Sequence, residues 1–110
     1  MKTENFFGSA VLPALGEEHF EILTQGSDFH VERIISNGHE DEAGSWYDQD
    51  KDEWVILLRG EAVVLLEGGD EVHMKSGDYI LIPAHQRHRV LWTSSEPPCY
   101  WLGIHGTLKG

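Results

Sequence analysis

A chain of 110 residues, 40% of them hydrophobic, suits one compact domain and leaves no room for a second core. Nineteen acidic residues against eight basic ones give a formal charge of −11, which repels phosphate backbones and anionic surfaces, so neither nucleic acid nor membrane is an expected partner. No stretch reaches the roughly 18 apolar residues of a membrane helix, Met1-Lys2-Thr3-Glu4 lacks the apolar core of a secretion signal, and the lone Cys99 cannot form an internal disulfide; the expectation is a cytoplasmic protein.

Gly8, Pro13 and Gly16 interrupt Phe6-Phe7 and Val11-Leu12 before a helical period can build, so residues 1–28 are expected to form an N-terminal arm packed on the domain. Within it, Glu17 to Thr24 has enough apolar content for a helical turn or a first strand, closed by the turn set Gln25-Gly26-Ser27-Asp28. Phe29 to Ile35 is a β-branched run between turn residues and reads as a strand. An acidic stretch follows, Glu40, Asp41, Glu42, Asp48, Asp50, Asp52 and Glu53, most of which reads as solvated loop.

Six short apolar runs then succeed one another: Trp54 to Leu58, Ala62 to Leu66, Glu71 to Met74, Tyr79 to Ile82, Arg89 to Trp92 and Cys99 to Ile104. Glycine, proline or polar turn sets separate them, which predicts an all-β sandwich or barrel over residues 29–110. Runs such as Val55-Ile56-Leu57-Leu58 are apolar on both parities, so both strand faces need cover, and a homodimer partner is expected to supply part of it. Cys99 reads as a small buried hydrophobe, and His19, His30, His39 and His73, scattered without ligand spacing, read as surface residues.

Two segments carry more than periodicity. Glu53, six residues and Gly60 form the first; Gly77, five residues, Pro83, and then Ala84-His85-Gln86-Arg87 to His88 form the second. Taken in order at this spacing they resemble the two motifs of the cupin superfamily, over residues 45 to 92. His85 stands where that family usually has glycine, and no histidine precedes Glu53 at the family's spacing. A four-residue gap puts Asp48 and Trp46 at the two histidine positions, and a three-residue gap puts Gln49 and Tyr47 there. Strand alternation favours Tyr47 and Gln49, which share parity with Glu53, whereas a bulge would favour Asp48 on charge.

The resemblance implies a double-stranded β-helix, or jelly-roll, barrel with a divalent metal (Mn, Fe, Zn or Ni) at its mouth. The candidate ligands are Asp48, Gln49, Glu53 and His88. Tyr47, His85, Trp92 and His105 are candidate pocket residues: Tyr47 because it abuts the acids, Trp92 because it shares parity with His88, and His85, the nearest by sequence, or, further off at the end of the last strand, His105, as the second histidine that a two-histidine, one-carboxylate set would need. Glu53, an acid opening an apolar strand, must coordinate something, pair with a cation such as Arg87 or Arg89, or meet water. The implied function is binding of a metal and a small organic molecule, with the reaction open among oxygenase, isomerase and similar chemistry. The alternative is a metal-free cupin serving as a ligand sensor or interaction module.

Overall fold

The computed structural model describes residues 1–108, so the last two positions of the segment 29–110 lie outside the described residues. Eight strands form: β1 (Glu18–Gln25), β2 (Phe29–Ser36), β3 (Asp52–Arg59), β4 (Glu61–Leu66), β5 (Glu71–Lys75), β6 (Tyr79–Ile82), β7 (His88–Thr93) and β8 (Cys99–Gly106). They pair antiparallel in two sheets, β1-β2-β8-β3-β6 and β5-β4-β7, the expected all-β jelly roll. Among the described residues no helix is long and apolar enough to cross a membrane.

The strand alternative for Glu17 to Thr24 is the one realised. β1 pairs with β2 along its length, so the segment 1–28 is an arm only up to residue 17 and then an edge strand of the larger sheet. The arm is held by Arg33, whose guanidinium donates to the Phe6 carbonyl and to Glu21, and by Arg59 over the Phe7 ring.

Period-two alternation explains β3: Glu53, Val55 and Leu57 point inward and are buried, while Trp54 and Ile56 face outward, half-covered. Val55 and Leu57 join Ile34, Val64, Ile82 and Trp101 between the sheets. Each such side chain contributes about 1.5–3 kcal/mol through burial. Cys99 is fully buried on β8, as expected, with its thiol donating to the Glu61 carbonyl.

Three expectations change here. His39 is half-buried and bonded to Asp41 at 2.7 Å, and Asp41 also accepts the Val90 N–H, so neither is a solvated surface group. Trp92 is 42% exposed on the outside of the small sheet. The reason is a register shift between β4 and β7: Val63 opposes Trp92 while Val64 opposes Val90, and the residue accommodated between them reverses the parity that tied Trp92 to His88. Arg87 bonds Glu67, and with Arg89 it flanks the Trp46 ring, so neither arginine pairs with Glu53.

Candidate functional site

Cross-strand partners share a face, and the register of β2, β8 and β3 puts His30, His105 and Glu53 in one row across the large sheet. The next row is Glu32, Gly103 and Val55. Gly103 leaves a gap there: a Cβ at that position would lie 3.4 Å from Glu53 Oε2 and 3.7 Å from Glu32 Oε1. Two carboxylates therefore converge over a residue with no side chain, and His105 Nε2 meets both, at 2.6 Å from Glu32 and 3.5 Å from Glu53. His30 stacks on His105 with ring centroids 4.4 Å apart.

From the opposite sheet comes His88. Its Nδ1–H donates to the Gln86 carbonyl at 2.9 Å, which leaves Nε2 as an acceptor aimed at Glu53 Oε1, 3.8 Å away. Burial lowers the His88 pKa, so the ring is neutral at pH 7. Burial also pushes Glu53 up to about 7, against the pull of His105 and with the help of Glu32 and Glu18. For His105 burial acts downward, but the Glu32 hydrogen bond and the charges of Glu53 and Glu32 prevail and raise its pKa. An ionised Glu53 would set a lone pair against the His88 lone pair. That arrangement calls for a proton on Glu53 or a cation between the two.

These groups line a funnel. An inner chamber of about 70 Å³ is bounded by Glu53, His88, Tyr47, Glu18 and apolar walls that include Val90 and Trp101. An outer vestibule of about 450 Å³ is bounded by His30, His105, Asp48, Asp50, Lys51 and His85, and the two spaces share Phe20, Glu32 and Gln49. Tyr47 stacks on His88 at 5.5 Å, and burial together with four surrounding carboxylates raises its phenol pKa, keeping it a donor.

The one-residue ambiguity before Glu53 resolves through the backbone. Tyr47 and His88 exchange both backbone hydrogen bonds, and the Gln49 carbonyl accepts from His85 N–H, so Tyr47 and Gln49 turn inward and Asp48 outward. Asp48 is exposed and pairs with the exposed His85 at 3.0 Å, which takes both out of the inner chamber and leaves them on the vestibule rim. His85 has φ 64°, the left-handed conformation a glycine would adopt freely. Trp92 lies outside the funnel altogether. Of the site candidates, Tyr47, Gln49, Glu53, His88 and His105 come together, and they are joined by His30, which is half-buried against His105 and not the surface residue expected, and by Glu32, which sequence reading passed over. Their signal was present: a histidine and a glutamate two residues apart on one strand share a face.

A two-sheet β-barrel with a polar cluster at the mouth of an apolar interior defines a protein of the jelly-roll class. The cupin-domain family model matches residues 34–105, and the chain belongs to that family. Among solved structures it is similar to a candidate mannose-6-phosphate isomerase from Ralstonia eutropha, with 38% identity, a TM-score of 0.89, and 98% of this chain and 100% of that one covered. It also resembles a cupin superfamily protein from Desulfitobacterium hafniense (16% identity, TM-score 0.77, 98% and 94% covered) and an RmlC-like cupin from Desulfovibrio desulfuricans (16%, 0.72, 98% and 99%). These two show the fold alone. No curated protein matches the chain.

The family implies a divalent metal. At the motif positions Tyr47, Gln49, Glu53 and His88, only Glu53 and His88 are good ligands. A second set of ligands lies beside them, two from the row of Glu53 and one from the next: donor atoms of His30, His105 and Glu32 lie within 4.8 Å of one another. Imidazoles and carboxylates around a gap that a Cβ would fill suit Mn²⁺, Fe²⁺, Zn²⁺ or Ni²⁺, so the residues fit the group.

Proposed function

We propose that this cupin is an enzyme of acid–base chemistry on a small hydroxy-carbonyl compound, interconverting aldose and ketose forms, with a divalent cation held by His105, Glu32 and His30 beside Glu53. The observation that carries the reading is Glu53 itself: a buried carboxyl facing the chamber, with His88 at 3.8 Å and His105 at 3.5 Å as its nearest polar partners. A carboxyl that neither neighbour bonds, and that exchanges its proton near neutral pH, is suited to take a proton from the carbon beside a carbonyl and return it to the neighbouring carbon. Tyr47, whose phenol keeps its proton, is a donor for the oxygens between which the hydroxyl proton moves. Ile34, Val55, Val64, Ile82 and Trp101 give the chamber its apolar walls. A bound cation would supply Lewis-acid polarisation of a substrate oxygen. The name of the relative at 38% identity points to the same class of reaction.

Elemental analysis of protein purified without chelators tests the metal half of the reading. Near-stoichiometric metal is expected, falling about a hundredfold in affinity in His105→Ala. Metal that persists in His105→Ala and disappears in His88→Ala would assign it to the motif positions instead. A metal-free barrel is the second reading, favoured by Tyr47 and Gln49 standing where the family has histidines; activity untouched by a chelator, with no metal after reconstitution, would select it.

The proposed assembly is a homodimer. β1 is an edge strand whose Phe20, Ile22 and Leu23 are 48%, 55% and 42% exposed, and a second copy pairing there would cover them. Light scattering should give about twice the 12.4 kDa chain mass; the single-chain mass at every concentration would remove the dimer.

A further inference from the structure

Among the described residues, no lysine or arginine lines the inner chamber, whereas three carboxylates do: Glu18, Glu32 and Glu53. In the vestibule each basic side chain already has an acid beside it. Lys51 bonds Asp28 at 2.6 Å, His85 bonds Asp48 at 3.0 Å, and His30 lies 3.8 Å from Glu32, while Asp50 adds a further negative charge. The remaining arginines are engaged on other faces: Arg33 by Glu21 and the Phe6 carbonyl, Arg59 by the rings of Phe7 and Tyr100, and Arg87 and Arg89 at Trp46. A divalent cation at His30, Glu32 and His105, beside Glu53, would match the charge of the Glu32 and Glu53 carboxylates and leave none over for an anion while Glu18 is ionised. Nor do the described residues include a helix whose N-terminus could hold a phosphate.

From this placement we infer that the site takes an unphosphorylated, uncharged hydroxy-carbonyl compound and rejects the corresponding phosphate ester, a substrate class that rests on the isomerase reading above. The dimensions agree. The inner chamber holds a few water-sized groups, on the order of one carbonyl and its neighbouring carbon; the hydroxylated remainder lies in the vestibule among Gln49, Asp48, Asp50 and His85, which are acceptors and donors for hydroxyl groups. A phosphoryl group at that end would meet Asp48 and Asp50 with only the already paired Lys51 to answer them.

The test uses the full chain as purified and measures binding of D-mannose, D-fructose, mannose 6-phosphate and inorganic phosphate by calorimetry, with turnover of each sugar followed separately. The free sugars should bind at least a hundredfold tighter than the phosphate ester, and inorganic phosphate should not compete. Asp48→Arg, which adds a cation at the vestibule rim and removes an acid, should improve binding of mannose 6-phosphate at least tenfold relative to that of D-mannose. Equal or tighter binding of the ester by the unaltered chain overturns the inference even if isomerisation is observed. Binding of free sugar without turnover upholds the inference and sinks the isomerase reading. Binding of neither overturns the inference.

Discussion

Replacing Glu53 by glutamine is expected to remove turnover and, in the metal-free protein at alkaline pH, to make the fold more stable. The folded chain holds the Glu53 proton up to about pH 7, whereas an ordinary solvated glutamate releases it near 4.5. Between those values the folded state binds more protons than the unfolded one, so this stability is fully present below pH 4.5 and is lost as pH rises through 7. At about 1.4 kcal/mol per tenfold change, the penalty above pH 7 is on the order of 3 kcal/mol, which the favoured His105 imidazolium partly offsets. Glutamine has the same shape and never ionises. Glu53→Gln should therefore melt several degrees higher at pH 8.5 in chelator, with the advantage gone by pH 4.5, while turnover falls about a hundredfold to ten-thousandfold. Thermal unfolding at the two pH values checks this; equal effects at both would mean that the fold does not raise the Glu53 pKa.

The largest stability effect is expected at Gly60, where β3 ends and the chain crosses to β4 in the opposite sheet. Its φ is +95°, and a Cβ there would stand 2.8 Å from Cys99 Sγ, 2.9 Å from Ser94 Oγ and 3.0 Å from the Cys99 Cα. Side chain and backbone both block the space, so neither a rotamer change nor a small shift relieves it. Gly60→Ala should cost on the order of 4 kcal/mol, the sum of a disfavoured backbone and an overpacked core contact. Gly77→Ala separates the two parts, because Gly77 has φ +97° with nothing within 4 Å of its Cβ. It should cost about 1–2 kcal/mol. Urea denaturation compares them; similar midpoints for the two variants would show that the contacts at Cys99 and Ser94 give way.

The architecture was legible because each strand from β3 onward is a short apolar run closed by glycine, proline or polar residues, and because Gly60 and Gly77 sit where a chain with side chains could not turn. Glu53 and His88 were legible through the same spacing. Trp92 was misplaced because parity counting assumes an unbroken ladder, and one register shift against β4 inverts it. Asp48 was drawn into the candidate ligand set by its charge, whereas the backbone exchange between Tyr47 and His88 turns it outward. His30 was assigned to the surface and Glu32 passed over for a different reason. Their role depends on β2 pairing with β8 and β8 with β3, long-range choices that no local pattern encodes, and on Gly103, whose absent side chain is informative only once its neighbours across the sheet are known.

The most direct test of the central claim, that Glu53 moves a proton at carbon in this chamber, is proton NMR of an aldose incubated with the protein in heavy water. The account predicts deuterium appearing at the carbon beside the carbonyl with the unaltered chain and not with Glu53→Gln, whose fold is checked by its melting temperature. Isomerisation without deuterium uptake, or uptake that survives in Glu53→Gln, would contradict it.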